Sequence, residues 1–289
     1  MEWSVGRLLG WAAGYLAAKG VEAPRLSAEL LLAKVLGCDR LGVYLRHDQP
    51  LEEPELKAFK VLLLRRASHE PVAYITGTKE FYSLELEVGP GVLIPRPETE
   101  IVVDAALEML EGYHQPLVLD MCTGCGAIAL AIAANHPGAR VVGVDISAKA
   151  LGYARANARR LGLEGRVQWL QGNVWAPLAG KGMWFDLIVA NPPYVAEGDW
   201  HALPPQVREY EPREALVAGE GGLDVIKEIV EGARAFLRPL AAVVMEIDPR
   251  QWQAVRELAR AARIFPEVEL RRDLAGAGRV VVMRRGDYG

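Results

Sequence analysis

The stretch Leu117-Val118-Leu119-Asp120-Met121-Cys122-Thr123-Gly124-Cys125-Gly126 decides how the rest of the chain is read. Its first five residues form a short, nearly apolar run, which suits a strand buried on both faces of a sheet. Gly124 and Gly126 then permit a tight turn and let a ligand approach the backbone. The helix expected from Ala127 offers free N–H groups at its start. One strand further on, residues 141–144 lead into Asp145, where a carboxylate can accept both hydroxyls of a ribose. Strand, glycine turn, helix, strand and acid together describe a nucleoside site.

The same alternation continues outward. Strands are expected at 117–121, 141–144, 167–170, 187–190, 241–247, 268–270 and 280–283. Helices separate most of them, at 127–134, 148–161, 223–237 and 251–262. Such a pattern predicts a doubly wound α/β domain with a mostly parallel, seven-stranded sheet, whose ligands bind at the carboxyl ends of the strands. Upstream, the first ~75 residues read as a small helical bundle. Gly20 and Pro24 punctuate its first helix, Ser27 is placed to cap a second, and Gly37 to close it. Pro54 suits a first helical turn, and Leu56, Phe59 and Leu63 then share one face. From Phe81, the residues Tyr82, Leu84, Leu86 and Val88 alternate with polar ones, as in a half-buried strand. Gly89-Pro90-Gly91 breaks the run before a second extended piece at 92–94, and a helix is expected over 98–111. The predicted organisation is a helical domain at 1–78, a β-hairpin linker at 79–94 and the α/β domain at 95–289.

Composition sets bounds on function. The 289 residues carry 33 Lys and Arg against 37 Asp and Glu, a net charge of −4. That balance argues against a protein that coats nucleic acid by bulk electrostatics. With 51% hydrophobic and 24% charged residues, general disorder is excluded. No stretch approaches the ~20 apolar residues of a membrane helix, so no membrane association is expected. The apolar run from Leu8 to Ala18 has Glu2 beside Arg7 rather than a positive leader, and reads as a core-facing helix instead of a secretion signal. Three cysteines, an odd number in a chain with ample core, fit a reducing cytoplasm.

Two other readings of the glycine loop must be weighed. Gly124, Gly126 and Ala129 also satisfy a dinucleotide pattern, so a nicotinamide-dependent dehydrogenase is a rival. Cys122 and Cys125 form a C-x-x-C, which resembles a thiol redox site. Small residues tolerated in a tight turn explain both cysteines more simply, because the nucleoside context needs no thiol reaction. No metal is expected, since there is no second Cys pair and the histidines lack ligand spacing.

The second informative stretch is Asp186-Leu187-Ile188-Val189-Ala190 followed by Asn191-Pro192-Pro193-Tyr194. Two prolines end the strand and stiffen the turn. The carboxamide oxygen of Asn191 and the carbonyl of Pro192 can each accept one hydrogen of a planar NH2 group, and Tyr194 can stack on its plane. A rigid loop with a buried tyrosine is the plain alternative; the nucleoside loop upstream makes the chemical reading more specific.

Asn-Pro-Pro-Tyr after the fourth strand resembles the signature of S-adenosylmethionine-dependent methyltransferases that modify planar amino or amide nitrogens. Further motifs resemble the release factor glutamine methyltransferases: Arg65-Arg66-Ala67 with Glu70-Pro71-Val72-Ala73-Tyr74-Ile75-Thr76-Gly77, then Glu80-Phe81-Tyr82, then Leu93-Ile94-Pro95-Arg96-Pro97-Glu98-Thr99-Glu100. Tyr210-Glu211-Pro212-Arg213, Gly222-Leu223-Asp224, Asp273-Leu274-Ala275-Gly276 and Arg279-Val280-Val281 extend the likeness, which spans about residue 26 to the end.

The resemblance implies a Rossmann-like class I methyltransferase domain that transfers a methyl group from S-adenosylmethionine to the side-chain amide nitrogen (N5) of the glutamine in the Gly-Gly-Gln motif of peptide chain release factors. On this reading Asp120, Cys122, Thr123, Gly124, Cys125, Gly126, Asp145, Asn173, Val174 and Asn191 hold the cofactor. Asn191, Pro192, Pro193 and Tyr194 bind the substrate, with Asn191, Pro192 and Tyr194 as the catalytic set. Release factors are the expected partners, the helical domain is expected to dock them, and no direct DNA binding is expected. Arg96, Glu98 and Thr99 are candidates for lining the site, with ion pairing and helix capping as the plain alternative. Two residues depart from the family pattern. Cys122 stands where glycine is usual, so its φ should be negative unless strain is accepted. Asn173 replaces an acidic residue beside the adenine, leaving an acceptor without charge assistance. A nucleic-acid adenine amino-methyltransferase fits the same turn, but the net charge and the flanking motifs stand against it.

Overall fold

The computed structural model describes residues 3–287 and divides into two compact units. Met1–Thr78 with Pro204–Tyr210 form the first, and Lys79–Leu203 with Glu211–Gly289 the second. Residues 79–94 cluster with the α/β unit and 204–210 with the helices.

The first unit contains α1 (Val5–Ala18), α2 (Pro24–Leu36), α3 (Arg40–Leu45), α4 (Glu53–Ala67) and α5 (Val72–Thr76). Val5, Leu8, Leu9, Ala12 and Leu16 of α1 are buried against Leu31 and Leu32 of α2 and Phe59 and Leu63 of α4. Gly37 ends α2 in the left-handed region at φ +60°. Ser27 does not cap α2, which begins at Pro24. It lies inside the helix, buried, and accepts from Arg66 Nε at 3.2 Å. Arg66 is itself buried; its Nη1 donates to the Glu70 carbonyl and its Nη2 to Gln206 Oε1. A charge this deep is tolerated because the guanidinium hydrogens meet acceptors, and that requirement draws Gln206 into the helical unit.

A hairpin follows, β1 (Thr78–Phe81) and β2 (Leu84–Glu87), which from Lys79 on belongs to the second unit. The single strand expected from 81 to 88 is thus split. Tyr82 and Ser83 both have positive φ, the geometry of a two-residue hairpin turn. Tyr82 is held there by its N–H donating to Glu100 Oε1 and its hydroxyl to Asp104 Oδ1. Residues 92–94 form no strand. Pro97–Thr99 makes one 3-10 turn before α6 (Glu100–Met109).

Then follow β3 (Leu117–Met121), α7 (Ala127–Asn135), β4 (Arg140–Asp145), α8 (Ala148–Arg160), β5 (Val167–Gln171) and β6 (Phe185–Ala190). After α9 (Pro205–Arg208, in the first unit) come α10 (Asp224–Gly232), β7 (Leu237–Glu246), α11 (Trp252–Ala261), β8 (Glu267–Arg272) and β9 (Gly278–Arg284). The helix expected to reach Leu237 stops earlier, because Leu237 already pairs with Phe185 as the first residue of β7. The seven strands run in the order β5-β4-β3-β6-β7-β9-β8. β3 to β7 are parallel, and β9 returns antiparallel between β7 and β8. Strand order reverses between β3 and β6, and such a switch point opens a crevice at the strands' carboxyl ends. All six residues of β6 are buried, as befits a central parallel strand with both faces covered. Its one acid, Asp186, accepts from the Leu117 N–H and from Arg238, which ties the start of β3 to its neighbours.

Candidate active site

A cavity of about 230 Å³ lies at the carboxyl ends of β3, β4 and β6. Its floor is the segment from Met121 to Cys125. Gly124 has φ +58° and Gly126, the N-cap of α7, has φ +84°. A Cβ on Gly126 would meet Trp169 at 2.9 Å, so close packing as well as the left-handed φ requires glycine there. Asn157 on α8 braces the loop from behind: its Nδ2 donates to the Cys125 carbonyl, and its Oδ1 accepts the Glu87 N–H.

Asp145 ends β4 and lines the cavity. Its Oδ2 accepts the Gly124 N–H at 2.8 Å and its Oδ1 the Ser147 N–H at 2.9 Å. Burial raises its pKa, and these two bonds oppose the rise. Each oxygen retains lone-pair capacity toward the cavity. Asn173 and Val174 line the far wall, with Val174 buried and at φ +37°.

Asp120 has a different place from the one expected. It is wholly buried and does not line the cavity; its Oδ2 accepts from Thr123 Oγ1 at 2.5 Å and from the Ala129 N–H at 3.1 Å. It therefore braces the loop and the first turn of α7. Its Oδ1 has no hydrogen-bond partner, and burial pushes its pKa up to about 7. Gly126 likewise shapes the loop without lining the cavity.

Cys122 does not adopt the negative φ expected of it. At +59° it occupies the left-handed region, which costs an L-residue with a Cβ roughly 1–2 kcal/mol. Cys122 lines the cavity, and the parallel pairing of β3 on both sides fixes the strand that delivers it. Neither Cys122 nor Cys125 is in a disulfide. Burial raises both thiols, Cys125 to about 12, so neither is poised as a thiolate.

The Asn191–Tyr194 turn closes the opposite side. Asn191 lines the large cavity and also a smaller one of about 30 Å³, bounded by Arg96, Pro192, Pro193, Tyr194 and Val195. Leu93 and Ala215 share the boundary. The turn is held from three directions. Gln251 Nε2 donates to the Tyr194 carbonyl at 2.9 Å, Val195 and Val217 form a short bridge, and Gly222 passes so close to Tyr194 that a Cβ would lie 2.1 Å from its carbonyl oxygen. Asn191 Nδ2 donates to Thr99 Oγ1 at 3.1 Å; Thr99 donates to Glu246 Oε2 at 2.6 Å; Tyr194 donates its hydroxyl to Glu246 Oε1 at 3.1 Å.

Sequence reasoning missed Glu246 and Glu211 as parts of this site. Glu246 is a lone charge closing the apolar run of β7, a signal that was available. Glu211 is buried and accepts from the Ile94 N–H and from Arg96, which shapes the 92–96 segment beside the turn. Glu98 lies in the 3-10 turn and is exposed. Among the described residues, no helix is long and apolar enough to cross a membrane.

Comparison with known proteins gives a consistent picture. Residues 7–77 match the family model of the PrmC N-terminal domain, and residues 99–204 that of the methyltransferase small domain. The release factor glutamine methyltransferase of Geobacter sulfurreducens is 46% identical over 253 residues, 88% of this chain and 87% of that protein. Its counterpart in Moorella thermoacetica is 43% identical over 277 residues, 96% and 97% of the two chains. In fold, the chain is similar to the human methyltransferase 10 domain containing protein, with a TM-score of 0.54, 14% identity, and coverage of 72% of this chain and 90% of that one.

Proposed function

Since the chain belongs to the release factor glutamine methyltransferases, we propose that its large cavity holds S-adenosylmethionine and that the Asn191–Tyr194 turn presents a glutamine side chain to it. The chain is a methyltransferase that acts on the glutamine amide of release factors. The glutamine of the Gly-Gly-Gln motif, methylated at N5, is the acceptor, and a substrate drawn from the translation apparatus sets the reaction in the cytoplasm. The observation that carries the reading is that Asn191 lines two cavities at once. Methyl transfer needs a donor and an acceptor on either side of one narrow junction, and Asn191 stands at it.

The residues present fit the cofactor. Asp145 offers two carboxylate oxygens at the strand end, the Met121–Cys125 segment offers a close backbone surface, and Val144, Ile146, Val174 and Val225 supply apolar walls for a base. Asn173 offers an uncharged acceptor at the position expected to meet the adenine. When bound, the cofactor supplies a methyl group on a sulfonium, electrophilic enough for direct displacement.

The chain's own work is then on the acceptor. An amide nitrogen is a poor nucleophile because its lone pair is shared with the carbonyl. Asn191 Oδ1 and the Pro192 carbonyl each take one amide hydrogen, which fixes the nitrogen's plane and aims one face at the large cavity. As nitrogen takes the methyl group from the sulfonium, whose S–CH3 bond breaks, it gains positive charge. Those same acceptors then bind its hydrogens more strongly, so they favour the transition state over the ground state. One of the two hydrogens then leaves as a proton, giving the neutral N-methyl amide. Orientation of this kind supplies up to ~7–11 kcal/mol in well-aligned systems. Tyr194 lines the small cavity, which supports a flat group as the acceptor.

The test is incubation of the full-length protein with labelled S-adenosylmethionine and either a release factor or duplex DNA. Label on a single glutamine of the release factor is expected. Label on adenine, or none on the release factor, would overturn the reading.

A further inference from the structure

We infer that Thr99 and Glu246 are positioning residues which set the end of the Asn191 carboxamide that faces the substrate. The inference rests on the functional reading above and extends it to two residues without a role there.

The argument is one of hydrogen-bond direction. Glu246 Oε2 stands 2.6 Å from Thr99 Oγ1, and Oε1 stands 3.1 Å from the Tyr194 hydroxyl. An ionised carboxylate can only accept, so both hydroxyls must donate to it. Thr99 has a single hydroxyl hydrogen, and Glu246 takes it. Toward Asn191, 3.1 Å away, the Thr99 oxygen can therefore act only as an acceptor. The atom of Asn191 that meets it must be the NH2, and Oδ1 is left on the other side of the carboxamide. With Glu246 ionised, that orientation follows from the count of donors and acceptors alone.

The consequence is functional. Were Thr99 free to rotate and donate to Oδ1, the carboxamide would turn over and present its NH2 to the incoming amide NH2. Two donors would then face each other, and the substrate would lose one of its two acceptors. The chain prevents this with an acid that is 1% exposed and a threonine that is 3% exposed, so solvent has little access to the shared hydrogen. Burial raises the pKa of Glu246 and Glu98 adds to the rise, while the Thr99 and Tyr194 hydroxyls and Arg279 on β9 favour its charged form. The three contacts also come from far apart in sequence: Thr99 before α6, Tyr194 after β6 and Glu246 at the end of β7. A purely structural role would require only that these segments be joined, not that the joint have a direction.

The experiment compares full-length wild type, Thr99→Val and Thr99→Ser, with a release factor and labelled S-adenosylmethionine. Thr99, which also lines the large cavity, keeps its shape and loses its acceptor in Thr99→Val; kcat should fall roughly ten- to a hundred-fold, by a clearly larger factor than calorimetric cofactor affinity. Thr99→Ser restores the hydroxyl and should recover kcat to within about three-fold. Should valine not be accommodated, Thr99→Ala carries the same expectation. Undiminished kcat in Thr99→Val, or equal impairment in Thr99→Ser, would overturn the inference alone. Absence of methyl transfer by the wild type would overturn the functional reading, and this inference with it.

Discussion

The Gly124 N–H donates to Asp145 Oδ2 at 2.8 Å, and this bond ties the glycine loop of one strand to the acid that ends the next. The floor and one wall of the large cavity are thereby a single unit. Asp145→Ala removes both the proposed ribose acceptor and this tether. Cofactor affinity should fall roughly ten- to a hundred-fold, or about 1.4–2.8 kcal/mol, measured by calorimetry. Affinity equal to wild type would remove the acid from the site.

Asn191 should behave in the opposite way. It lines both the large cavity and the small one, and its proposed partner is the acceptor amide. Asn191→Ala should lower kcat by about 10²–10³, the usual effect of removing one group that stabilises developing charge. Cofactor affinity should stay within about three-fold. Equal losses in turnover and cofactor binding would show that the carboxamide serves the cofactor instead.

The parallel core, the glycine loop, the strand-end acid and the proline turn were all legible because each is local. Residues 117–126 and 186–194 carry their own strand, turn and breaker signals, and the 3.6- and two-residue periods placed most of the remaining elements. What sequence could not supply is contact across distance. Glu246 meets Thr99 from 147 residues away, and Glu211 meets the Ile94 N–H from 117. Ser27 looked like a cap because Ser commonly is one; the buried Arg66 recruited it instead. Tyr82 and Ser83 alternate like strand residues, yet Glu100 captures the Tyr82 N–H and turns the chain.

Asp120 predicts a pH dependence of stability. Its carboxyl is pushed up to about 7 in the folded chain, chiefly by burial, against about 3.9 when unfolded. Between those values the native state holds the extra proton, so stability falls as pH rises through that window. Asp145 and Glu246 are raised as well and act in the same direction. Comparison with Asp120→Asn isolates this one group: the decline in melting temperature from about pH 4 to 7 should be shallower in the variant. Identical slopes would mean that the carboxyl titrates elsewhere.

Cys122 carries a strain that can be released. Its φ of +59° is unfavourable for any residue with a Cβ, and the fixed ends of β3 and α7 hold it there. Glycine removes the penalty of about 1–2 kcal/mol, less a few tenths to 1 kcal/mol for the greater freedom of the unfolded chain. Cys122→Gly should therefore stabilise the α/β unit by up to about 1 kcal/mol, seen as a rise of about 2–4 °C in its melting temperature. Cys122→Val should do the reverse, because a β-branched residue tolerates this region least. The thiol has no part in the proposed chemistry, so turnover in the glycine variant should remain within about three-fold of wild type. Loss of activity with a higher melting temperature would instead give the Cys122 thiol a part in the reaction.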